Sequence, residues 1–245
     1  MSKTMIITDT CCDLPAALVD NYDVEILSTA FSIDDRVFNE GLDFTCENFY
    51  EILPAPKGKI KSASIAAAVY LDRFKNADAC GFDSVLVLMT ASGDFPINRT
   101  VDEAVELYKT QNPASTLRIE VIDTQCFSMC TGLLVLEAAK LAQEKTDFDE
   151  LIKTIKTDCD RMRMLDNSDR SFDDFYACCA EALYAGKPDY AIGYAVCEKE
   201  ARATAMLLEE ELGYGPLLLY KLGAISAYEA GKETILLCFE APEGE

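Results

Sequence analysis

Short apolar runs that alternate with segments of helical periodicity constrain the fold of this chain more than any other feature. The run Val85–Met89 is continuous and apolar, and Arg118–Ile122 is a second strand candidate. Between them, Ile97–Tyr108 keeps its apolar residues on one helix face. A strand, helix, strand order of this kind connects parallel neighbours, with helices on both faces of the sheet. The pattern predicts that residues 1–160 form a three-layer α/β/α domain with a mostly parallel sheet.

The first apolar run, Met5–Ile7, ends in the polar residues Thr8, Asp9 and Thr10. We expect an amphipathic helix directly after them, on the apolar residues Leu14, Ala17, Leu18 and Tyr22. At the carboxyl end of a parallel strand, hydroxyls and backbone N–H groups face the crevice in which α/β proteins bind ligands. The same side chains, or Asp13, could instead only cap that helix, and the turn by itself favours capping.

The sequence changes character after residue 160. The segment Arg161–Arg170 is charged and poor in apolar residues, which is typical of a connection between domains. The later pattern predicts a helix from Phe172 that Ser171 caps, strand Tyr190–Cys197, helix Lys199–Leu212, and strands Leu217–Tyr220 and Thr234–Phe239. We therefore predict two domains, residues 1–160 and a smaller α+β domain of residues 161–245.

The charge of the chain limits its partners. Its 245 residues include 43 Asp and Glu and 22 Lys and Arg, a net charge of −21. A field of this sign repels nucleic acid and anionic membrane surfaces, so neither is an expected partner. We find no signal-peptide pattern and no apolar run of the roughly 20 residues that a membrane span requires. These features predict a cytoplasmic protein without stable membrane insertion.

The absence of histidine removes several catalytic mechanisms. A Ser-His-Asp hydrolase, a Cys-His protease and a His-ligated zinc site all require that side chain. The eleven cysteines have no close metal-binding spacing, and their scatter through the predicted strands and helices fits reduced, mostly buried thiols. No nucleophile is recognisable beside a base. We predict no catalytic residue, no metal and no cofactor.

Five motifs occur in a fixed order along the first 160 residues. They are Ile6–Pro15, Glu40–Asp43, Val121–Thr124, Ser128–Met129 and Gly132–Val135. Taken together, they resemble the DegV family, bacterial proteins that bind fatty acids. The resemblance implies a two-domain protein that holds one long-chain fatty acid between an amino-terminal α/β domain and a carboxyl-terminal α+β domain. It also implies a carrier that presents the acid to a separate fatty acid kinase subunit and is not itself an enzyme.

The resemblance further implies a ligand site on polar loops that follow several strands. The ligand-binding residues are then Ser62, Ser64, Asn98, Thr100, Thr10, Ser92, Lys61 and Arg99, and the supporting residues are Thr8, Asp9, Asp123 and Ser128. Ser62 lies where the family has its threonine, and Asn98 where it has its ligand serine. For Thr100, capping of the following helix together with Glu103 competes with ligand binding. Donors of this kind suit a carboxylate head.

Two departures from the family pattern keep other functions open. Ile225 replaces the family's headgroup histidine, and the family's L-x-x-L-x-x-G-G-R-I segment, which should follow Arg163, is missing. A degenerate relative that binds another small ligand, or acts as a protein-interaction module, is therefore the alternative to a fatty acid carrier. A third hypothesis is an enzyme that uses Asp9 and Asp123 on a metal or a phosphoryl group. Apolar surface left by the missing segment could be covered in a homodimer.

Overall fold

The computed structural model describes residues 3–20, 22–33, 36–43, 61–91, 97–184 and 186–242. For Ala16, Ile33, Lys61, Ser62 and residues 97–99 it describes the backbone alone. Ser92 lies outside these ranges. The apolar spacing of Phe49, Tyr50 and Leu53 predicts a helix within residues 44–53, and Pro54, Pro56 and Gly58 predict a loop over residues 54–59. Both segments also lie outside the described ranges.

Strands and helices alternate along much of the described chain. In chain order, the strands are β1 (Thr4–Asp9), β2 (Val24–Leu27), β3 (Ala30–Ile33), β4 (Arg36–Asn39), β5 (Lys61–Ala63), β6 (Ser84–Met89), β7 (Arg118–Asp123), β8 (Met162–Asp166), β9 (Tyr190–Tyr194), β10 (Leu218–Lys221) and β11 (Ile235–Glu240). The helices are α1 (Ala67–Ala79), α2 (Ile97–Gln111), α3 (Met129–Gln143), α4 (Phe148–Arg161), α5 (Phe172–Tyr184), α6 (Glu198–Leu212) and α7 (Ala224–Ala230).

The described strands form three sheets. The first has the order β2-β1-β6-β7 and is parallel throughout, with Met5 opposite Val85 and Met89 opposite Asp123. The second has the order β10-β9-β11-β8, in which β10 and β9 are parallel and the other pairs antiparallel. The third is the small antiparallel sheet β4-β3-β5. A parallel sheet followed by a mixed one confirms the predicted α/β class with a separate carboxyl-terminal sheet.

Helices cover the faces of the two larger sheets. On one face of the first sheet, Phe74 of α1 and Tyr108 of α2 pack against Val87. On its other face, α3 lies beside α4, and Leu134 of α3 belongs to a core that extends to Leu236 in the second sheet. The helices α5 and α6 cover the outer face of the second sheet. The helix α3 therefore packs on both sheets at once.

The segment after β1 is not the predicted α-helix. Thr10–Cys12 and Ala16–Leu18 form two short 3-10 turns, and Leu18 is 40% exposed. Asp13 has a left-handed backbone, with φ of 53°, and Pro15 disfavours helical backbone at the residue before it. These two residues interrupt the helix that the apolar spacing predicts.

Two other segments also differ from their predictions. The mixed apolar and hydroxyl run Val24–Ile33 predicts one strand. In the structure it is divided between two sheets, because β2 pairs with β1 whereas β3 pairs with β4 and β5. The segment Arg161–Arg170, expected to be a connection, contains β8, which pairs antiparallel with β11. Met162 is buried there, whereas Arg163 and Met164 are exposed. Charged residues are compatible with this strand because it lies at an edge of its sheet.

The structure confirms one predicted helix cap and corrects another. At the start of α5, the Ser171 hydroxyl accepts a hydrogen bond from the Asp174 N–H at 3.2 Å, as predicted. The helix α2 begins at Ile97, so Thr100 lies inside the helix and does not cap it.

The cap of α4 is one residue away from the position that the Thr146-x-x-Asp149 spacing predicts. The Asp147 carboxylate accepts hydrogen bonds from the N–H groups of Asp149, at 2.9 Å, and Glu150, at 3.4 Å. The first helical residue is Phe148, which is buried. The capping residue must directly precede the first helical residue, so Asp147 is the cap and Thr146 lies one position too early.

The division between residues 160 and 161 stays a proposal. The helix α4 ends at Arg161, and the second sheet begins with β8 at Met162. The lobes on either side share the core around α3.

Among the described helices, none combines the length and the apolar character that crossing a membrane requires. The cysteines of the described ranges are free thiols.

Candidate functional site

A polar turn follows β1 at the carboxyl edge of the first sheet. Asp9 is 4% exposed, and its Oδ1 accepts hydrogen bonds from the Cys11 N–H at 2.9 Å and the Thr90 hydroxyl at 3.1 Å. Its Oδ2 accepts a hydrogen bond from the Thr90 N–H at 3.2 Å. The Thr10 hydroxyl accepts one from the Thr29 N–H at 3.1 Å. These bonds join Asp9, at the end of β1, to Thr90, directly after β6. They also join Thr10, directly after β1, to Thr29, which lies between β2 and β3.

Asp13 connects this turn to the second lobe. Its Oδ1 accepts a hydrogen bond from the Gly223 N–H at 3.0 Å, directly before α7, and its Oδ2 accepts one from the Ser128 hydroxyl at 2.5 Å. Burial raises the pKa of Asp13 to about 7, although the Ser128 hydrogen bond lowers it, and the nearby Glu40 raises it further. Asp13 therefore caps a helix, but that helix is α7 of the other lobe.

Glu40 binds the same helix from the end of β4. Its backbone is held in place, since its N–H donates to the Thr29 carbonyl at 2.9 Å and its carbonyl accepts from the Ser28 hydroxyl at 2.6 Å. Its Oε1 accepts a hydrogen bond from the Ile225 N–H at 3.1 Å. Burial raises the pKa of Glu40, and the Ile225 N–H offsets part of that rise. Two carboxyl groups of one lobe thus satisfy N–H groups at the start of a helix in the other.

The two carboxyl groups leave room only for glycine at residue 223. A Cβ on Gly223 would lie 2.6 Å from Asp13 Oδ1 and 2.7 Å from Glu40 Oε1. The backbone of Gly223, with φ of −63° and ψ of 170°, is open to any residue. The requirement for glycine is therefore steric.

An apolar cluster lies beside these carboxyl groups. It consists of Cys11, Phe31, Ala224 and Ile225, with Phe38 packed against them. In the third sheet, the backbone of Ser62 is directly opposite Phe31. The register therefore brings β5, the turn after β1 and the start of α7 together.

The structure describes several of the predicted site residues. Thr8 and Asp9 are buried in β1, and Thr10 is half-buried directly after it. Ser64 is half-buried after β5, and Thr100 is half-buried in the first turns of α2. The side chains of Lys61, Ser62, Asn98 and Arg99 lie outside the described part of the structure, as does the whole of Ser92.

Asp123 and Ser128, the other predicted supporting residues, have different surroundings. Asp123 ends β7, which β6 separates from β1, and its Oδ1 accepts a hydrogen bond from the Gln125 N–H at 2.9 Å. Ser128 is fully buried and has the strained backbone angles φ 54° and ψ −139°. Its hydroxyl lies 2.9 Å from that of Tyr220 in the second sheet. Ser128 therefore belongs to the contact between the lobes.

Sequence reasoning missed four residues of this site as partners. The sequence suggested Asp13 only as a cap of the segment that follows it, and Glu40 only as part of a family motif. It predicted no contact for Gly223 or Tyr220. The partners are far apart in sequence: Asp13 and Gly223 differ by 210 in residue number, and Glu40 and Ile225 by 185. The one available signal is the glycine directly before a helix start, since glycine permits close backbone approach.

The carboxylates of the metal hypothesis accept hydrogen bonds from the protein. Asp9 accepts them from Cys11 and Thr90, and Asp123 accepts one from Gln125. Within the described ranges, no group of three or more Asp, Glu, Cys or His side chains is placed to hold a metal ion.

Comparison with known proteins decides the family. A family model described as "uncharacterised protein, DegV family" matches residues 3–165. The chain belongs to the DegV family. A DegV domain-containing protein of Caldanaerobacter subterraneus is 29% identical over 164 residues, which are 66% of this chain and 55% of that protein. The chain thus spans about half the length of the curated DegV relatives that it matches.

Solved structures of DegV proteins have the same fold. A fatty acid binding DegV family protein from Streptococcus agalactiae is similar with a TM-score of 0.83 at 20% identity, over 99% of this chain and 100% of that one. The fatty acid kinase (Fak) B3 protein of Streptococcus pneumoniae, loaded with linoleic acid, is similar with a TM-score of 0.82 at 16% identity, over 99% and 100%. This likeness confirms the predicted DegV-like fold.

Proposed function

We propose that this DegV protein is a carrier that binds one long-chain fatty acid and catalyses no reaction itself. The observation that carries the proposal is the meeting of three segments: the turn after β1, β5 with Ser62, and the start of α7 with Ile225. The resemblance assigns Ser62 and residue 225 to the head of the ligand. The solved relatives described as fatty acid binding, or as loaded with linoleic acid, support the same ligand class.

The proposed site has separate tasks for the two ends of the ligand. Burial of a methylene contributes about 0.8 kcal/mol, so a long acyl tail supplies most of the gross affinity. Burial of the polar head without hydrogen-bond partners costs several kcal/mol, so the head sets the orientation. We propose that the head is held by donors from the set Thr10, Lys61, Ser62, Ser64, Ser92, Asn98, Arg99 and Thr100.

We propose a fatty acid kinase subunit as the protein partner. The similar Streptococcus pneumoniae protein is named for such a kinase. In this scheme the kinase would carry out phosphoryl transfer, and the carrier would only present the acid. The cytoplasmic location and the homodimer stay predictions from the sequence.

Native mass spectrometry of the protein purified from an expression host tests ligand binding. We expect an added mass of one fatty acid, which is lost when the protein is denatured. Incubation of the delipidated protein with a fatty acid should restore the same mass. A protein that stays without ligand after purification and after this incubation overturns the proposal.

Substitution of two proposed head-binding residues tests the site. We expect the double variant Ser62→Ala, Asn98→Ala to bind a fatty acid at least about tenfold more weakly, because each lost hydrogen bond costs about 1 kcal/mol. Ser168→Ala, in an exposed turn, is the control and should bind like the wild type. Displacement of a fluorescent fatty acid measures the affinity. Equal affinity of the double variant and the control would remove these residues from the site.

A further inference from the structure

A groove lies between α5 and α6 on the outer face of the second lobe, and we call it the α5–α6 groove. Its volume is about 460 Å³. Its lining residues are Tyr176, Ala177, Ala180, Glu181 and Tyr184 of α5 and Glu211 of α6. The residues from α5 lie on one face of that helix and extend over about 12 Å, roughly two turns. The groove is therefore long enough to accommodate two turns of another helix.

The lining of the groove combines small residues with aromatic ones. Ala177 and Ala180 have only a methyl group, and small side chains at a contact let two helices approach closely. Tyr184 is 76% exposed, which is unusual for a large aromatic side chain. Tyr176 is half-buried, and its hydroxyl donates a hydrogen bond to the Glu211 carboxylate. Both tyrosines can therefore offer ring surface to a partner.

The charged side chains at the groove are acidic. The helix α5 contains three acidic residues and no basic one, and α6 ends with the acidic run Glu209–Glu211 before Leu212. Within the described ranges, neither Glu181 nor Glu211 forms an ion pair. The hydrogen bond to Glu211 raises the pKa of Tyr176 to about 12, so its ring stays neutral. The two carboxylates are thus available to a cation.

Charge determines which occupant fits this groove. A second copy of the chain has a net charge of −21, and its contact with this acidic surface would place like charges face to face. An anionic membrane surface is repelled for the same reason. A basic partner gains twice, because ammonium and guanidinium groups are attracted by carboxylates and also bind to the faces of aromatic rings.

We propose that the α5–α6 groove binds a basic amphipathic helix of a partner protein. The apolar side of that helix packs on Ala177, Ala180 and Tyr184, and one of its Lys or Arg side chains reaches Glu181 and Glu211. This arrangement is a helix-in-groove mode of recognition. The inference is independent of the proposed fatty acid site, which lies at the turn after β1 and the start of α7.

A defined peptide tests the proposal on the full chain. The probe is a fluorescently labelled helical peptide of about four turns, with Leu on one face and Lys on the other. We expect saturable binding of one peptide per chain in fluorescence anisotropy, and weaker binding at high salt. The same peptide with Glu in place of Lys should not bind. Equal binding of the two peptides, or no binding of the Lys peptide, overturns the proposal.

A pair of charge variants locates the binding site. We expect the double variant Glu181→Lys, Glu211→Lys to bind the Lys peptide at least about tenfold more weakly, because like charges then meet in the groove. The control is Glu103→Lys, Glu106→Lys on the exposed side of α2, which changes the net charge by the same amount. An equal loss in both double variants would show that the peptide responds to net charge alone, and would overturn the proposal.

A second pair of variants tests the apolar contact without a change of charge. We expect Tyr184→Ala to weaken binding of the Lys peptide by about fivefold, because an exposed aromatic anchor is lost. Met206→Ala is the control, since Met206 is 71% exposed on α6 but does not line the groove. Its affinity should equal that of the wild type. Equal affinities of the two variants would remove Tyr184 and the groove from the contact.

Two measurements distinguish other occupants. A dimer in light scattering that Tyr184→Ala dissociates would assign the groove to a second copy of the chain. Binding to phosphatidylcholine vesicles that the same variant abolishes would assign it to a membrane. Either result overturns the proposal. We expect a wild type whose mass does not respond to Tyr184→Ala and which does not bind these vesicles. None of these outcomes bears on fatty acid binding.

Discussion

Glu40 is a buried acidic residue and Asp13 a half-buried one, in a chain whose net charge is already −21. Burial of a carboxylate is costly unless hydrogen-bond donors compensate it. Each of these residues receives one N–H from the start of α7, where the helix dipole also favours negative charge. The compensation is partial, since burial raises the pKa of both groups.

The raised pKa of Asp13 predicts how stability depends on pH. The pKa rises from 3.8 to about 7 on folding, so the native state holds the proton more tightly than the unfolded chain. The resulting stabilisation is complete below about pH 4 and is lost as the pH rises through about 7, and it amounts to at most about 4 kcal/mol. We expect Asp13→Asn to remove this part of the pH dependence in urea unfolding. Asp173→Asn, an exposed control, should not.

Gly223 predicts a steric effect on stability. We expect Gly223→Ala to lower the free energy of unfolding by about 1–3 kcal/mol, because the added methyl group overlaps two buried carboxyl oxygens. Gly215→Ala is the matched control. Its Cβ would approach only the movable Glu209 side chain, at 3.2 Å, and should change the stability by less than about 0.5 kcal/mol. Equal effects in chemical denaturation would contradict the close approach at Gly223.

At the scale of whole elements, a single polar contact decides where a helix begins. The apolar residues of α4 specify its buried face, and both Thr146 and Asp147 are acceptable caps by residue type. The Asp147 carboxylate reaches two N–H groups of the first turn. The start of α4 is therefore specified by the hydrogen bonds of the Asp147 side chain, which the spacing of the apolar residues does not reveal.

This assignment predicts unequal effects of two neighbouring substitutions. We expect Asp147→Ala to lower the free energy of unfolding by about 1 kcal/mol, because two N–H groups of α4 lose their acceptor. Thr146→Ala should change it by only a few tenths of a kcal/mol. Thermal unfolding of both variants measures the difference, and the opposite order would return the cap to Thr146.

At the scale of the whole molecule, α3 joins the two lobes into one core. Leu134 of α3 belongs to the same apolar cluster as Leu86 of the first sheet and Leu236 of the second. The hydrogen bond between the Ser128 and Tyr220 hydroxyls and the one from the Gly223 N–H to Asp13 cross the same boundary. Neither lobe can separate without exposing this core to water.

The shared core predicts that both lobes unfold together. We expect Leu134→Ala, at a residue 2% exposed, to lower the free energy of unfolding by about 3 kcal/mol while a single transition is kept. Leu208→Ala in α6, buried on the outer face of the second sheet, should shift the same transition. Two separate transitions in calorimetry for either variant would show that the lobes are independent.

The sequence alone determined the elements whose signal is local. The continuous apolar run of β6 and the helical spacing of residues 97–108 in α2 were predictable, because burial on a strand or helix repeats with a short period. The charged strand β8 and the turns after β1 were not. The strand β8 forms because it pairs with β11. The turn at Asp13 is specified by the hydrogen bond that Asp13 accepts from Gly223, directly before α7.

The candidate site shows the same limit. Sequence patterns and family motifs predicted that polar residues follow β1, and the DegV fold followed from the order of those motifs. Only the tertiary structure placed Asp13, Glu40 and Gly223 at one point, because their contacts depend on how α7 of the second lobe meets the first. Such contacts form across the whole chain, and no short sequence window can contain them.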